Sequence, residues 1–205
     1  SNTTGTENTA VGSHALDANT TANSNTAIGY VSLSANTTGA SNTAVGTNSL
    51  QANSTGGGNT ACGKGALASN TTASDNTAVG QDALVANTTG ANNIAVGKDA
   101  LASNTTANNS TAVGSSALAS NTTGLYNTAL GCVALTSNTT GNNNVAIGYQ
   151  ALDSNVTGHD TVAIGKGALQ AFTGGTSVGG SVGVGRDALY ALTTGAGNTA
   201  VGGNW

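Results

Sequence analysis

Glycine returns at a fixed step along this chain. The motif Asn-Thr-Ala-Val-Gly places its glycine at Gly12, Gly29, Gly46, Gly63, Gly80, Gly97, Gly114, Gly131, Gly148 and Gly165, always 17 residues apart. One step of 20 then leads to Gly185, and a last step of 17 leads to Gly202. A constant period means that each unit is one structural element whose apolar side is buried only by stacking on its neighbours.

Numbering the unit from the asparagine of the motif, the consensus reads N-T-A-V-G-x-x-A-L-x-x-N-T-T-G-x-x over positions 1 to 17. The chain is a single array over residues 1–205: a partial repeat at 1–7, eleven full repeats over 8–197, and a partial repeat at 198–205. Three extra residues fall within 173–180, the one irregularity. No composition shift marks a second domain.

The period selects the architecture. Helical-hairpin repeats need about 33 or more residues and leucine-rich repeats about 20 to 29. A unit rich in Asn, Thr and Gly is also a poor helix former. Seventeen extended residues span at most about 56 Å, enough for one small coil. The expectation is an all-β parallel solenoid of twelve 17-residue rungs, with short strands around Ala-Val and Ala-Leu and turns at the glycines. At about 4.8 Å per rung, twelve rungs make a rod of roughly 55 to 60 Å.

The variable positions agree with this. All four bases, Lys64, Lys98, Lys166 and Arg186, occupy position 6. The acids occupy position 7 (Asp82, Asp99, Asp187), position 10 (Asp17, Asp153) and position 17 (Glu7, Asp75, Asp160). These positions face water. Positions 3, 4, 5, 8 and 9 never carry charge, and position 9 is leucine in all eleven full copies.

Neighbouring residues of a strand point to opposite faces. Ala-Val at positions 3 and 4 and Ala-Leu at positions 8 and 9 are nonetheless apolar together, so one residue of each pair needs cover from outside the coil. Four small apolar residues per rung also give a thin core for a monomer. A homo-oligomer is expected.

Several function classes are disfavoured by composition. Charged residues are 6% of the chain and the formal net charge is −4, which leaves no basic patch for nucleic acid. No apolar stretch approaches the roughly 20 residues that cross a bilayer, so no membrane insertion by this segment is expected. Residues 1–4 lack the features of a signal peptide. His14 and His159 lie about eight rungs apart, roughly 40 Å at the strand spacing, so they assemble no triad or metal cluster. The glycines are followed by no G-K-[ST], and acids do not recur as a metal-binding column. No catalytic, metal or cofactor site is expected, and the chain reads as a non-enzyme.

Four kinds of residue remain as candidates. Asparagine at position 12 opens N-x-T sequons at Asn19, Asn36, Asn70, Asn87, Asn104, Asn121 and Asn138. These are glycan acceptors or, alternatively, a stacked amide ladder. The ladder is favoured because position 12 becomes Phe172 and Leu192 near the end of the array. Threonines at positions 2, 13 and 14 form columns that suit either ice binding or hydroxyl bonding within the stack. Tyr30, Tyr126, Tyr149 and Tyr190 are candidate surface contacts for sugars, although they sit on distant rungs. Cys62, in the place of the position 4 valine, reads as a small core residue, and Cys132 at position 6 as exposed. About 19 Å separates their rungs, too far for a disulfide.

The segments Asn144-Val145-Ala146-Ile147-Gly148 and Asp160-Thr161-Val162-Ala163-Ile164-Gly165 resemble the head repeats of trimeric autotransporter adhesins of the YadA type. The N-T-A-V-G…A-L…N-T-T-G pattern is similar over the whole chain to arrays in phage tail-fibre proteins. The resemblance implies a left-handed β-roll, a homotrimer, and an extracellular fibre on a cell surface or virion. It also implies adhesion to a host-cell glycan or protein. A self-assembling extracellular filament is an alternative, because the sequence starts and stops within a repeat. An ice-binding solenoid is another.

Overall fold

The computed structural model describes residues 2–174 and 180–203. Its architecture is the expected parallel β-solenoid. Twelve three-residue strands, from β1 (Thr9–Val11) to β12 (Thr199–Val201), pair in parallel with their sequence neighbours in one twelve-stranded sheet. Register is constant: Thr26 pairs with Thr43, Ala27 with Ala44 and Ile28 with Val45. The long step of the repeat does not disturb it, since β10 (Val162–Ile164) pairs Val162 with Val182 at the start of β11 (Val182–Val184). Of the inserted stretch 173–180, residues 175–179 lie outside the described residues.

β-Branched residues at positions 2 and 4 suit an extended strand, and the glycine at position 5 ends it. Gly97 has φ of +134°, and a Cβ there would lie 2.5 Å from the carbonyl oxygen of Gly114 on the next rung. A side chain at this corner is excluded twice, by the backbone conformation and by the neighbouring rung.

The expected second strand at Ala-Leu is absent. The backbone there runs through turns, with position 7 and position 9 both left-handed, as at Asp82 (φ 55°) and Leu84 (φ 53°). All eleven position 9 leucines share this conformation. It costs an L-residue roughly 1–2 kcal/mol, whereas full burial of a leucine stabilises by about 1.5–3 kcal/mol. Burial wins, so leucine persists where glycine would be easier. Because the segment is not a strand, side chains do not alternate, and Ala83 and Leu84 are both fully buried. The pair at positions 8 and 9 therefore needs no external partner, contrary to the sequence argument.

Leucine at position 9 and alanine at positions 3 and 8 form one continuous core along the axis. Apart from the buried position 15 alanines, such as Ala73 and Ala107, and Phe172, the rest of the interior is polar and bonded. Asn36 donates from Nδ2 to Oδ1 of Asn19 (3.3 Å), and Asn53 does the same to Asn36 (3.0 Å), a ladder that continues to Asn155. A second ladder runs along position 1, where the backbone N–H of Asn42 donates to Oδ1 of Asn25 (2.9 Å). Among the described residues no buried side-chain nitrogen or oxygen lacks a hydrogen-bond partner, as a polar interior requires.

Candidate interaction surface

The strands alternate as period-two geometry requires. Alanine at position 3 points inward and is fully buried, as at Ala27 and Ala44. Positions 2 and 4 point outward. The outer face of the sheet thus carries two columns: Thr9, Thr26, Thr43, Thr60, Thr77, Ile94, Thr111, Thr128, then Val145, Val162, Val182 and finally Thr199 in one, and Val, Ile, Leu or Cys in the other. Ile28 and Leu130 remain 39% and 46% exposed. No charged residue falls in either column. A contiguous apolar strip of this kind is uncommon on a soluble monomer.

Cys62 belongs to this strip. It is exposed, which corrects the expectation of a core residue: position 4 faces out and alanine at position 3 faces in. Cys132 is exposed too, at position 6, as expected. Both thiols are free.

Charges flank the strip. Position 6, just past the glycine corner, holds the four bases, and position 17, just before the strand, holds Glu7, Asp75 and Asp160. Lys98 and Arg186 pair with the acids that follow them, Asp99 at 3.7 Å and Asp187 at 3.2 Å. Lys64 and Lys166 are each followed by glycine and make no ion pair among the described residues. Asp160 accepts a hydrogen bond from Asn143 (3.0 Å). Asp153, at position 10, is partly covered, and burial raises its pKa above the ordinary carboxylate value.

The candidate glycan acceptors Asn19, Asn36, Asn70, Asn87, Asn104, Asn121 and Asn138 are all fully buried. Each Nδ2 makes two hydrogen bonds. That of Asn87, for example, reaches Oδ1 of Asn70 (2.9 Å) and the carbonyl oxygen of Gly90 (2.9 Å). Both amide protons are spent within the stack, and a glycan on that nitrogen does not fit the folded rung.

From Thr37 onward the two threonines of each N-T-T differ. The first donates its hydroxyl to the next rung, as Thr88 does to the carbonyl oxygen of Thr105 (3.0 Å). The second stands exposed, in a column that includes Thr21, Thr38, Thr55, Thr72, Thr89, Thr106, Thr123 and Thr140.

The tyrosines are exposed and dispersed. Tyr30 and Tyr149 lie at position 6 beside the sheet face, Tyr126 at position 17 and Tyr190 at position 10. Tyr30 meets the ring of His14 edge-on at 6.3 Å. The structure does not gather the four into one platform. His159 accepts the backbone N–H of Asn142 at Nδ1 (2.9 Å), a structural bond between rungs.

Among the described residues no group of three or more His, Cys, Asp or Glu is placed to hold a metal ion, and no helix is long and apolar enough to cross a membrane. The position 1 ladder was not singled out from sequence. Its signal is the uncharged Asn, Ser or Thr found there in every copy.

No protein-family model, no curated protein and no solved structure matches this chain.

Proposed function

We propose that this chain is a structural segment of an extracellular adhesive fibre, in which several copies associate side by side to form a rod that spaces or presents a receptor-binding surface. The observation that supports it most is the outer face of the sheet: uncharged, apolar along one column, and repeated on all twelve strands. A rod with such a strip is suited to lateral association. The partner surface, a host-cell glycan or protein, would be met at the end of the fibre or on the polar flanks. The test is the solution mass by light scattering. A multiple of the chain mass, three for a trimeric fibre, supports the reading; a monomer at high concentration removes it.

Ice binding is a second reading, favoured by one observation. The position 14 threonines keep their hydroxyls out of the stack and repeat once per rung, at about 4.8 Å. Thermal hysteresis and crystal shaping at low concentration would support it. Loss of both on replacing Thr72, Thr89 and Thr106 by lysine would assign the activity to this column.

A further inference from the structure

We infer that copies of this chain pack in parallel and in register through the outer face of the sheet, with the lysine edge of one copy against the acidic edge of the next. The inference rests on the reading of the chain as a multichain fibre and adds the direction, the register and the residues of the contact.

Three observations carry it. The first is size and repeat. The strip is as long as the stack, about 55 Å, and with its flanks roughly 10–15 Å wide. That gives roughly 550–800 Å² per copy, close to the ~800 Å² per partner of a standard interface. Its side chains rise and fall once per rung, so the surface that interdigitates along its whole length is another stack of the same rung.

The second is a gradient along the rod. Toward the N-terminal end the outward pairs are mixed, Thr26 with Ile28, Thr43 with Val45 and Thr77 with Val79. Over three consecutive strands in the C-terminal half they are wholly apolar, Val145 with Ile147, Val162 with Ile164 and Val182 with Val184, before β12 returns to a mixed pair, Thr199 with Val201. Parallel packing in register sets this apolar stretch against itself. Antiparallel packing sets it against the threonine end and leaves water-seeking hydroxyls facing the largest apolar side chains.

The third is the position of charge. Viewed on the face, all four bases lie along one edge, where Asp99 and Asp187 neutralise Lys98 and Arg186 and Asp82 also stands, and Glu7, Asp75 and Asp160 lie along the other, which has no base. A rotation axis parallel to the rod brings the basic edge of one copy to the acidic edge of its neighbour. An axis perpendicular to the rod brings bases to bases and acids to acids. In register, Lys166 meets the level of Asp160, six residues earlier across β10. Lys64 meets the level of Asp75, eleven residues later. Both offsets are less than one rung spacing of about 4.8 Å. These two lysines are the ones without an ion pair inside the described chain.

Sedimentation equilibrium at low salt tests this on four full-length chains: wild type, Lys64→Asp with Lys166→Asp, Asp75→Lys with Asp160→Lys, and all four changes together. All four sites are on the surface flanks, and circular dichroism checks that each chain keeps its fold. Each double variant makes both edges alike in sign and is expected to weaken association at least roughly tenfold. The fourfold variant restores opposite edges and is expected to associate within about threefold of wild type. Double variants that associate like wild type, or a fourfold variant that stays weak, would overturn the parallel edge-to-edge contact while leaving a multichain fibre standing. A monomeric wild type would overturn the fibre reading and this contact with it.

Discussion

Asn25 and Asn36, eleven residues apart, both donate from Nδ2 to the carbonyl oxygen of Gly39, at 3.0 and 2.9 Å. The same convergence recurs at Gly56 from Asn42 and Asn53, and at Gly90 from Asn76 and Asn87. One carbonyl per rung thus clamps the start of the strand to the N-T-T turn, closing the coil across its polar side. It fails at Gly124, where position 1 is Ser110 and Asn121 donates alone.

Replacing Asn87 by Ala removes the bonds to Asn70 and Gly90 and strands the Oδ1–Nδ2 bond from Asn104. Leaving buried partners unsatisfied costs about 1–3 kcal/mol. Chemical denaturation should show a loss of that size, and Thr89→Ala, at an exposed side chain, should show almost none.

Leu84→Asp places a charge in the fully buried leucine column and should unfold its rung and those beside it, whereas Leu84→Ala should cost about 2–5 kcal/mol. Wild-type melting for the aspartate variant would mean that position 9 does not face the core.

Val133 holds a left-handed backbone, φ 49°, at position 7, where other rungs use Gly65, Asn48 or Asp82. β-Branched residues tolerate that region worst. Val133→Asn should therefore raise stability by about 0.5–1 kcal/mol, read as a higher denaturation midpoint.

Burial raises the pKa of Asp153, so the folded chain holds this proton more tightly than the unfolded chain. Its contribution to stability is present below the ordinary carboxylate range and is lost as pH rises through the raised value. Asp153→Asn should melt higher than wild type at neutral pH, and the difference should vanish in acid. A difference of equal size at both pH values would show that ionisation is not its cause.

The period, the leucine column and the charge-bearing positions were all legible in the sequence, because each is a pattern over eleven copies. The path of the chain within a rung was less so. Ala-Leu looks like a strand by composition, and nothing local announces that Leu84 takes φ of 53°. Stacking alone makes that conformation tolerable. The same gap explains Cys62: its neighbours in the column are apolar, and apolar residues read as interior until the direction of Ala61 is known. The asparagine ladder at position 12 was anticipated through Phe172, which stands buried in line with it. The clamp on Gly39 was not, since it joins positions 1, 12 and 15 through a carbonyl that sequence does not display.

The proposed fibre requires a sheet face that is open in one chain and covered between chains, and Cys62 sits on that face with its thiol free. The direct measurement is the rate at which a small thiol reagent labels Cys62 in a Cys132→Ser chain, followed across a dilution series with mass measured in parallel. Labelling should be fast where the chain is dissociated and slow where copies associate. Slow labelling of the dissociated chain would place position 4 inside the coil, and equally fast labelling of the associated form would show that copies do not meet through this face.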